Sequence, residues 1–154
     1  MDRTDRKILA ELQIDGRLSL TELAERVGLS LSPCQRRVKA LEQEGIISGY
    51  RAHLDPVRLG LNFSAIVFVT LREGDRQAVS VFEEAVKGIP QIIQAQRLFG
   101  NPDYLLNIIT RDLPAFQRLY DEQLSGLAGV QRLTSTLVMK TVVQDSPLPL
   151  DASN

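Results

Sequence analysis

Between Ser30 and Leu41 the chain carries three basic residues, Arg36, Arg37 and Lys39, and no acid. At about 100° per residue along a helix, Cys34, Val38 and Leu41 share one side, and Ser32, Gln35, Arg36 and Lys39 share the opposite side. Such a polar face suits the major groove of DNA. Arg and Lys donate to guanine O6 and N7, Gln pairs with adenine N6 and N7, and hydroxyls such as those of Ser30 and Ser32 hold phosphates. Arg37 falls near the apolar edge, placed for a phosphate or for a neighbouring acid. Acids return at Glu42 and Glu44, beyond the portion that would enter a groove. The competing reading is a three-helix bundle with a solvated charged face.

Other chemistries are poorly supplied. One cysteine, Cys34, and one histidine, His53, leave no usual Cys/His zinc site in one chain and no disulfide framework. Cys34 reads as a buried small hydrophobe. No P-loop and no G-x-G-x-x-G occurs, and the paired acids Glu83-Glu84 sit on a helical stretch as solvated charges. No cofactor and no enzyme activity are expected. Eighteen basic against nineteen acidic residues give a net charge of -1, so a DNA partner must be met by a local cluster. The apolar runs are broken by Asn, Thr or Arg, so no membrane span is expected. Met1–Asp5 lacks the apolar run of a secretory signal, and the chain reads as cytoplasmic. With 44% hydrophobic and 24% charged residues, 154 residues can bury a core unaided.

The elements that must carry the basic face are legible in the spacing. Arg3 to Ile14 places Ile8, Leu9 and Leu12 on one side, and Asp15-Gly16 stops that helix. Ser19-Leu20-Thr21-Glu22 is a capping box, and its helix carries Leu20, Leu23, Ala24 and Val27 before Gly28. After a short link, Ser32 serves as N-cap and Pro33 as first residue of a third helix, closed by Gly45. A tight link containing glycine between two helices is helix-turn-helix geometry. The period then changes. Ile46 to Leu54 predicts a short strand. Phe63–Leu71, Ile92–Phe99, Tyr104–Thr110 and Val130–Val143 predict strands, with helices over Asp75–Lys87 and Leu113–Leu124. The class is α+β: an N-terminal winged-type helix-turn-helix domain of three helices over 1–50, a hinge strand and linker over 51–61, a ferredoxin-like βαββαβ domain over 62–145, and a tail over 146–154.

Several segments together resemble the Lrp/AsnC family. These are Asp5-Arg6-Lys7-Ile8-Leu9, Leu23-Ala24-Glu25-Arg26-Val27-Gly28-Leu29-Ser30, Ser32-Pro33-Cys34, Arg36-Arg37-Val38-Lys39-Ala40-Leu41-Glu42 and Gly45-Ile46-Ile47-Ser48-Gly49-Tyr50, continued by Leu54-Asp55-Pro56, Leu59-Gly60 and Gly100-Asn101-Pro102-Asp103-Tyr104. The match runs over roughly residues 2–143. The resemblance implies a feast/famine transcription regulator that binds double-stranded DNA. It also implies a C-terminal domain that senses a small amino acid and builds dimers, commonly octamers.

The resemblance places Leu98, Gly100, Asp103, Thr134 and Thr136 in the effector region. Asp103 can pair with an ammonium. Backbone N–H groups of Gly100–Asp103 can take a carboxylate, since glycine allows close approach. Thr134 and Thr136 offer hydroxyls on one strand face, and Leu98 supplies an apolar wall. Asn-Pro-Asp is also a good turn whatever it binds, and strand threonines often face water. An aliphatic amino acid such as leucine or methionine is the expected effector; asparagine, lysine or an aromatic one stays open. Two rival functions are an architectural DNA-binding protein without an effector and a sirohaem-decarboxylase-like enzyme, a group that shares the fold.

Overall fold

The computed structural model describes residues 1–72 and 76–150. The chain forms two compact units, Met1–His53 together with the segment from Val142 onward, and Leu54–Thr141. No helix among the described residues is long and apolar enough to cross a membrane.

The first unit holds helices α1 (Arg3–Ile14), α2 (Leu20–Val27) and α3 (Leu31–Gln43). Reciprocal caps start two of them. In α1 the Asp5 N–H donates to Asp2 Oδ1 at 2.9 Å and the Asp2 N–H to Asp5 Oδ2 at 2.8 Å. In α2 the expected Ser19/Glu22 box is present, with the Glu22 N–H donating to Ser19 Oγ at 3.2 Å and the Ser19 N–H to Glu22 Oε2 at 3.0 Å. Gly28 then turns left-handed at φ +74, and the N–H groups of Gly28 and Leu29 return to the carbonyls of Glu25 and Ala24. This is a Schellman stop, which only a residue tolerant of positive φ closes cheaply.

Helix α3 starts earlier than the sequence suggests. Ser30, not Ser32, is the N-cap; its side chain makes no capping bond, and the Cys34 N–H closes the first turn onto the Ser30 carbonyl at 3.2 Å. Pro33 is the third residue rather than the first. Proline's missing N–H is tolerated throughout a first turn whose amides lack intrahelical acceptors, so its position does not fix the start. Ile8, Leu9, Leu23, Ala24, Val27, Cys34, Val38 and Leu41 form the core of this unit. Ile46–Leu54 is not a strand. The Ile47 N–H bonds to the Leu41 carbonyl and its side chain packs on the core. An extended segment without a neighbouring strand has no ladder to satisfy it.

The second unit runs β1 (Phe63–Leu71), α4 (Arg76–Lys87), β2 (Ile92–Arg97), β3 (Tyr104–Thr110), α5 (Leu113–Leu119) with a π-helical turn over Tyr120–Leu124, and β4 (Val130–Leu137). Asp75, the expected first residue of α4, lies outside the described residues. The sheet order is β2-β3-β1-β4, with every neighbouring pair antiparallel. That is the ferredoxin-like βαββαβ arrangement. Two strands end short of expectation. In the β2–β3 hairpin the Leu98 N–H already closes onto the Asp103 carbonyl at 2.7 Å, which makes Leu98 and Phe99 part of the turn. For β4 the ladder to β1 ends where the Val138 N–H meets the Ser64 carbonyl.

One face of this sheet is covered. Ala65, Val67, Val69, Leu106 and Ile108 are buried with Phe82 and Val86 of α4 and Phe116 and Leu119 of α5. The alternate residues Ile66, Phe68, Leu105 and Ile109 therefore line the opposite face, where each is half-buried.

Candidate functional site

The turn of α2 into α3 presents the basic face as an exposed surface. Ser30, Ser32, Gln35, Arg36 and Lys39 are all exposed, while Cys34, Val38 and Leu41 anchor the helix from behind. Burial pushes the Cys34 thiol above its ordinary pKa, so it stays protonated and packs as an apolar group. The helix is thus fixed on one side and open on the other, the geometry a groove reader needs.

Arg37 differs from its neighbours. Its Nη1 lies 2.7 Å from Asp2 Oδ2 and 2.7 Å from Asp5 Oδ1, the two acids of the α1 cap. These carboxylates hold its pKa above the ordinary value, and the same contacts, after the Asp5 backbone bond, hold the Asp2 carboxyl below its usual range. Of the two partners open to Arg37 in the sequence, the acid is the one it meets. The Asp2-x-x-Asp5 spacing, an acidic version of the capping box, was the available signal. At the other end of α3, the Tyr50 hydroxyl donates to Glu42 Oε1 at 3.0 Å; burial and that carboxylate push the phenol up to about 12.

In the sheet unit, Leu98, Gly100 and Asp103 come together in the β2–β3 turn. Gly100 has φ +125, with open space where a Cβ would stand. The Asp103 Oδ2 accepts the Leu71 N–H at 2.7 Å, beside the register shift at Thr70/Leu71 between β1 and β4. The Asp103 N–H is engaged by the Val69 carbonyl at 2.9 Å and Pro102 has none, so Gly100 and Asn101 supply the amides of this turn. A carboxylate has about four acceptor positions, and the Leu71 bond uses one.

Thr134 and Thr136 are exposed on β4, opposite Phe68 and Ile66. Strand spacings of about 4.8 Å across and 3.3 Å along put Thr134 roughly 12 Å and Thr136 roughly 16 Å from Asp103. One free amino acid does not bridge either distance within a protomer. Tyr104 is buried, its ring 4.7 Å from that of Phe82, and its hydroxyl donates to Glu83 Oε1 at 2.7 Å. Glu83 is therefore a structural acceptor rather than a solvated charge, and Glu84 pairs with Lys87 at 2.6 Å. No cluster of three or more metal-ligating side chains occurs among the described residues.

Comparison with known proteins agrees with both units. Residues 1–48 match the winged helix-turn-helix DNA-binding family, and residues 64–148 match the Lrp/AsnC ligand binding domain. The chain is 40% identical over 148 residues to a proline dehydrogenase transcriptional activator of Rhodobacter capsulatus, covering 96% of both. It is 40% identical to the leucine-responsive regulatory protein of Escherichia coli, covering 96% of this chain and 90% of that one. Among solved structures, a transcriptional regulator of Neisseria meningitidis in complex with L-Met superposes with a TM-score of 0.94 at 39% identity, covering 98% of this chain and 97% of that one. With a helix-turn-helix that exposes an acid-free basic face, a ferredoxin-like sheet unit, and these relatives over nearly its whole length, the chain belongs to the Lrp/AsnC family of DNA-binding transcriptional regulators.

Proposed function

We propose that the exposed side chains of α3 read duplex DNA and that the β2–β3 turn takes the head group of a small aliphatic amino acid. Gln35, Arg36 and Lys39 address base edges, and Ser30 and Ser32 hold phosphates. Arg37 contributes by fixing α3 to the α1 cap. In the turn, Asp103 meets the ammonium, the Gly100 and Asn101 amides meet the carboxylate, and Leu98 lines the side-chain pocket. The observation that carries this reading is the opposition on α3 of a buried Cys34–Val38–Leu41 stripe and an exposed basic face. The complex of the Neisseria relative with L-Met supports the amino-acid class.

The chain acts as a homodimer, and such dimers assemble further. The support is the set of apolar side chains Ile66, Phe68, Leu105 and Ile109, which no helix among the described residues covers. Two copies pairing over this face bring Thr134 and Thr136 of each toward the other protomer, which supplies the pocket wall that a single protomer leaves about 12–16 Å away. A two-fold pair also sets two α3 helices on half-sites about one turn of DNA, or a multiple, apart.

The test is a thermal-shift screen against the twenty amino acids, followed by duplex titrations at fixed salt with and without the best ligand. A ligand at a hundred times its Kd stabilises the folded state by about 2.7 kcal/mol. The expected result is stabilisation by leucine or methionine and a changed affinity for one operator over scrambled duplexes. Equal affinity for every duplex, and no stabilisation by any amino acid, refutes it in favour of an architectural role.

A further inference from the structure

The segment that follows β4 returns to the helix-turn-helix unit and seats itself there. The Leu148 N–H donates to Gln13 Oε1 at 2.6 Å, and Gln13 Nε2 donates back to the Leu148 carbonyl at 3.3 Å. A side-chain carboxamide paired at two points with one residue's backbone offers what a neighbouring strand would offer. Leu150 is half-buried against the core that also holds α3. Asp145 Oδ2 lies 3.6 Å from His53 Nδ1. Leu148 and Leu150 line one side of a cavity of about 690 Å³ whose other walls include Leu9, Leu12, Ile47 and Tyr50. Leu148 stands between Pro147 and Pro149, which restrict the free segment and so lower the entropy lost on docking.

We propose that this groove is a receptor for the chain's own Ser146–Leu150 segment, a latch whose docking steadies the DNA-binding unit and raises its DNA affinity. The docked segment lies on α1 and on residues 46–53, so it leaves the exposed face of α3 clear. It acts by holding the base on which α3 rests, and a preorganised reader loses less freedom on binding. The connection also gives the DNA-binding unit a second covalent tie to the sheet unit, through the residues after β4, beside the one at His53–Leu54. The inference rests on the DNA-binding assignment and not on the response to amino acids.

The experiment uses the full chain, Gln13→Ala, Leu150→Ser, and a chain ending at Asp145, with amide hydrogen exchange and operator titration on each. Expected are several-fold faster exchange over residues 8–14 and 46–50 and several-fold weaker operator binding in all three altered chains. A synthetic peptide of residues 144–150 added to the shortened chain restores both. Unchanged exchange in the two point variants, or faster exchange with unchanged operator affinity, overturns the latch, as does a peptide that restores neither. Failure of the intact chain to bind any duplex overturns the DNA-binding assignment instead, since exchange still reports the docking.

Discussion

The Arg37 guanidinium lies 2.7 Å from the Asp5 carboxylate, tying the middle of α3 to the first turn of α1. Asp5 is bound into the α1 cap with Asp2, and Asp2 meets the same guanidinium nitrogen. One cation thus closes a loop of contacts between the helix that carries the basic face and the helix behind it. Its neighbours Arg36 and Lys39 are exposed.

That difference separates the effects of three substitutions. Arg36→Ala and Lys39→Ala are expected to weaken operator binding with the thermal midpoint unchanged. A lost base contact costs about 1–3 kcal/mol, and a lost phosphate contact lowers the salt slope by about one. Arg37→Ala is expected to lower the midpoint of the helix-turn-helix unit as well as the affinity. Titrations at several salt concentrations beside thermal melts check this. An unchanged melt for Arg37→Ala would remove its positioning role.

The caps of α1 and α2 set an acid limit. Asp2 and Glu22 both titrate below their ordinary values of 3.8 and 4.5 in the folded chain, Asp2 through the Asp5 backbone and Arg37, and Glu22 through the Ser19 side chain and backbone. A carboxyl depressed on folding adds stability that is in place above its unfolded value and is lost as pH falls through the folded one. The helix-turn-helix unit should therefore lose stability as pH drops from about 5 toward 3. Arg37→Met and Ser19→Ala should each flatten that dependence. Denaturant melts followed by helical circular dichroism across this range give the slopes directly.

Asp103 holds the Leu71 amide and, in the proposed site, also meets an ammonium, and a pair of variants divides the two roles. Its carboxylate accepts the Leu71 N–H at 2.7 Å, and the free charge is what an ammonium would meet. Asp103→Asn keeps an oxygen acceptor for Leu71 and drops the charge, so it is expected to fold normally and bind the amino acid at least tenfold more weakly. Asp103→Ala loses both and is expected to melt lower, since it leaves the Leu71 amide without its acceptor. Calorimetric titration with leucine and methionine on both variants checks the division. Full-strength binding by Asp103→Asn would rule out the ammonium pairing.

Much of this arrangement is legible in the residues themselves, because local rules set it. The Ser19/Glu22 box, the Gly28 stop and the alternation Ala65, Val67, Val69 each follow from contacts within a few positions. What the sequence misplaces depends on partners distant along the chain. Ile46–Leu54 has strand composition but pairs with no strand among the described residues, and β4 stops at Leu137, where its pairing with β1 ends, although apolar residues continue to Val143. Ser32-Pro33 imitates a helix start because a first turn tolerates proline at several places. The Gln13–Leu148 pair spans 135 positions, and no spacing rule reaches that far. The site was legible as to which residues are exposed on α3. The separation of Thr136 from Asp103 emerges only from the strand order.

The uncovered sheet face yields a prediction about assembly. Ile66 and Phe68 on β1 and Leu105 and Ile109 on β3 put four apolar side chains on one face, with Phe68 directly opposite Leu105 in the register and Ile66 opposite Asn107. Burying such a face between two copies removes apolar surface worth about 25 cal/mol per Å², whereas a carboxylate placed in it must be desolvated without a partner. Phe68→Asp is therefore expected to shift the chain to monomers in sedimentation at micromolar concentration. The covered face, built on Val67 and Val69, is untouched, so the secondary structure by circular dichroism should persist. Operator affinity should fall steeply, because a monomer engages one half-site and forfeits the effective concentration that links two. A dimer that persists in Phe68→Asp would move the interface elsewhere and remove the proposed route by which Thr134 and Thr136 reach an effector.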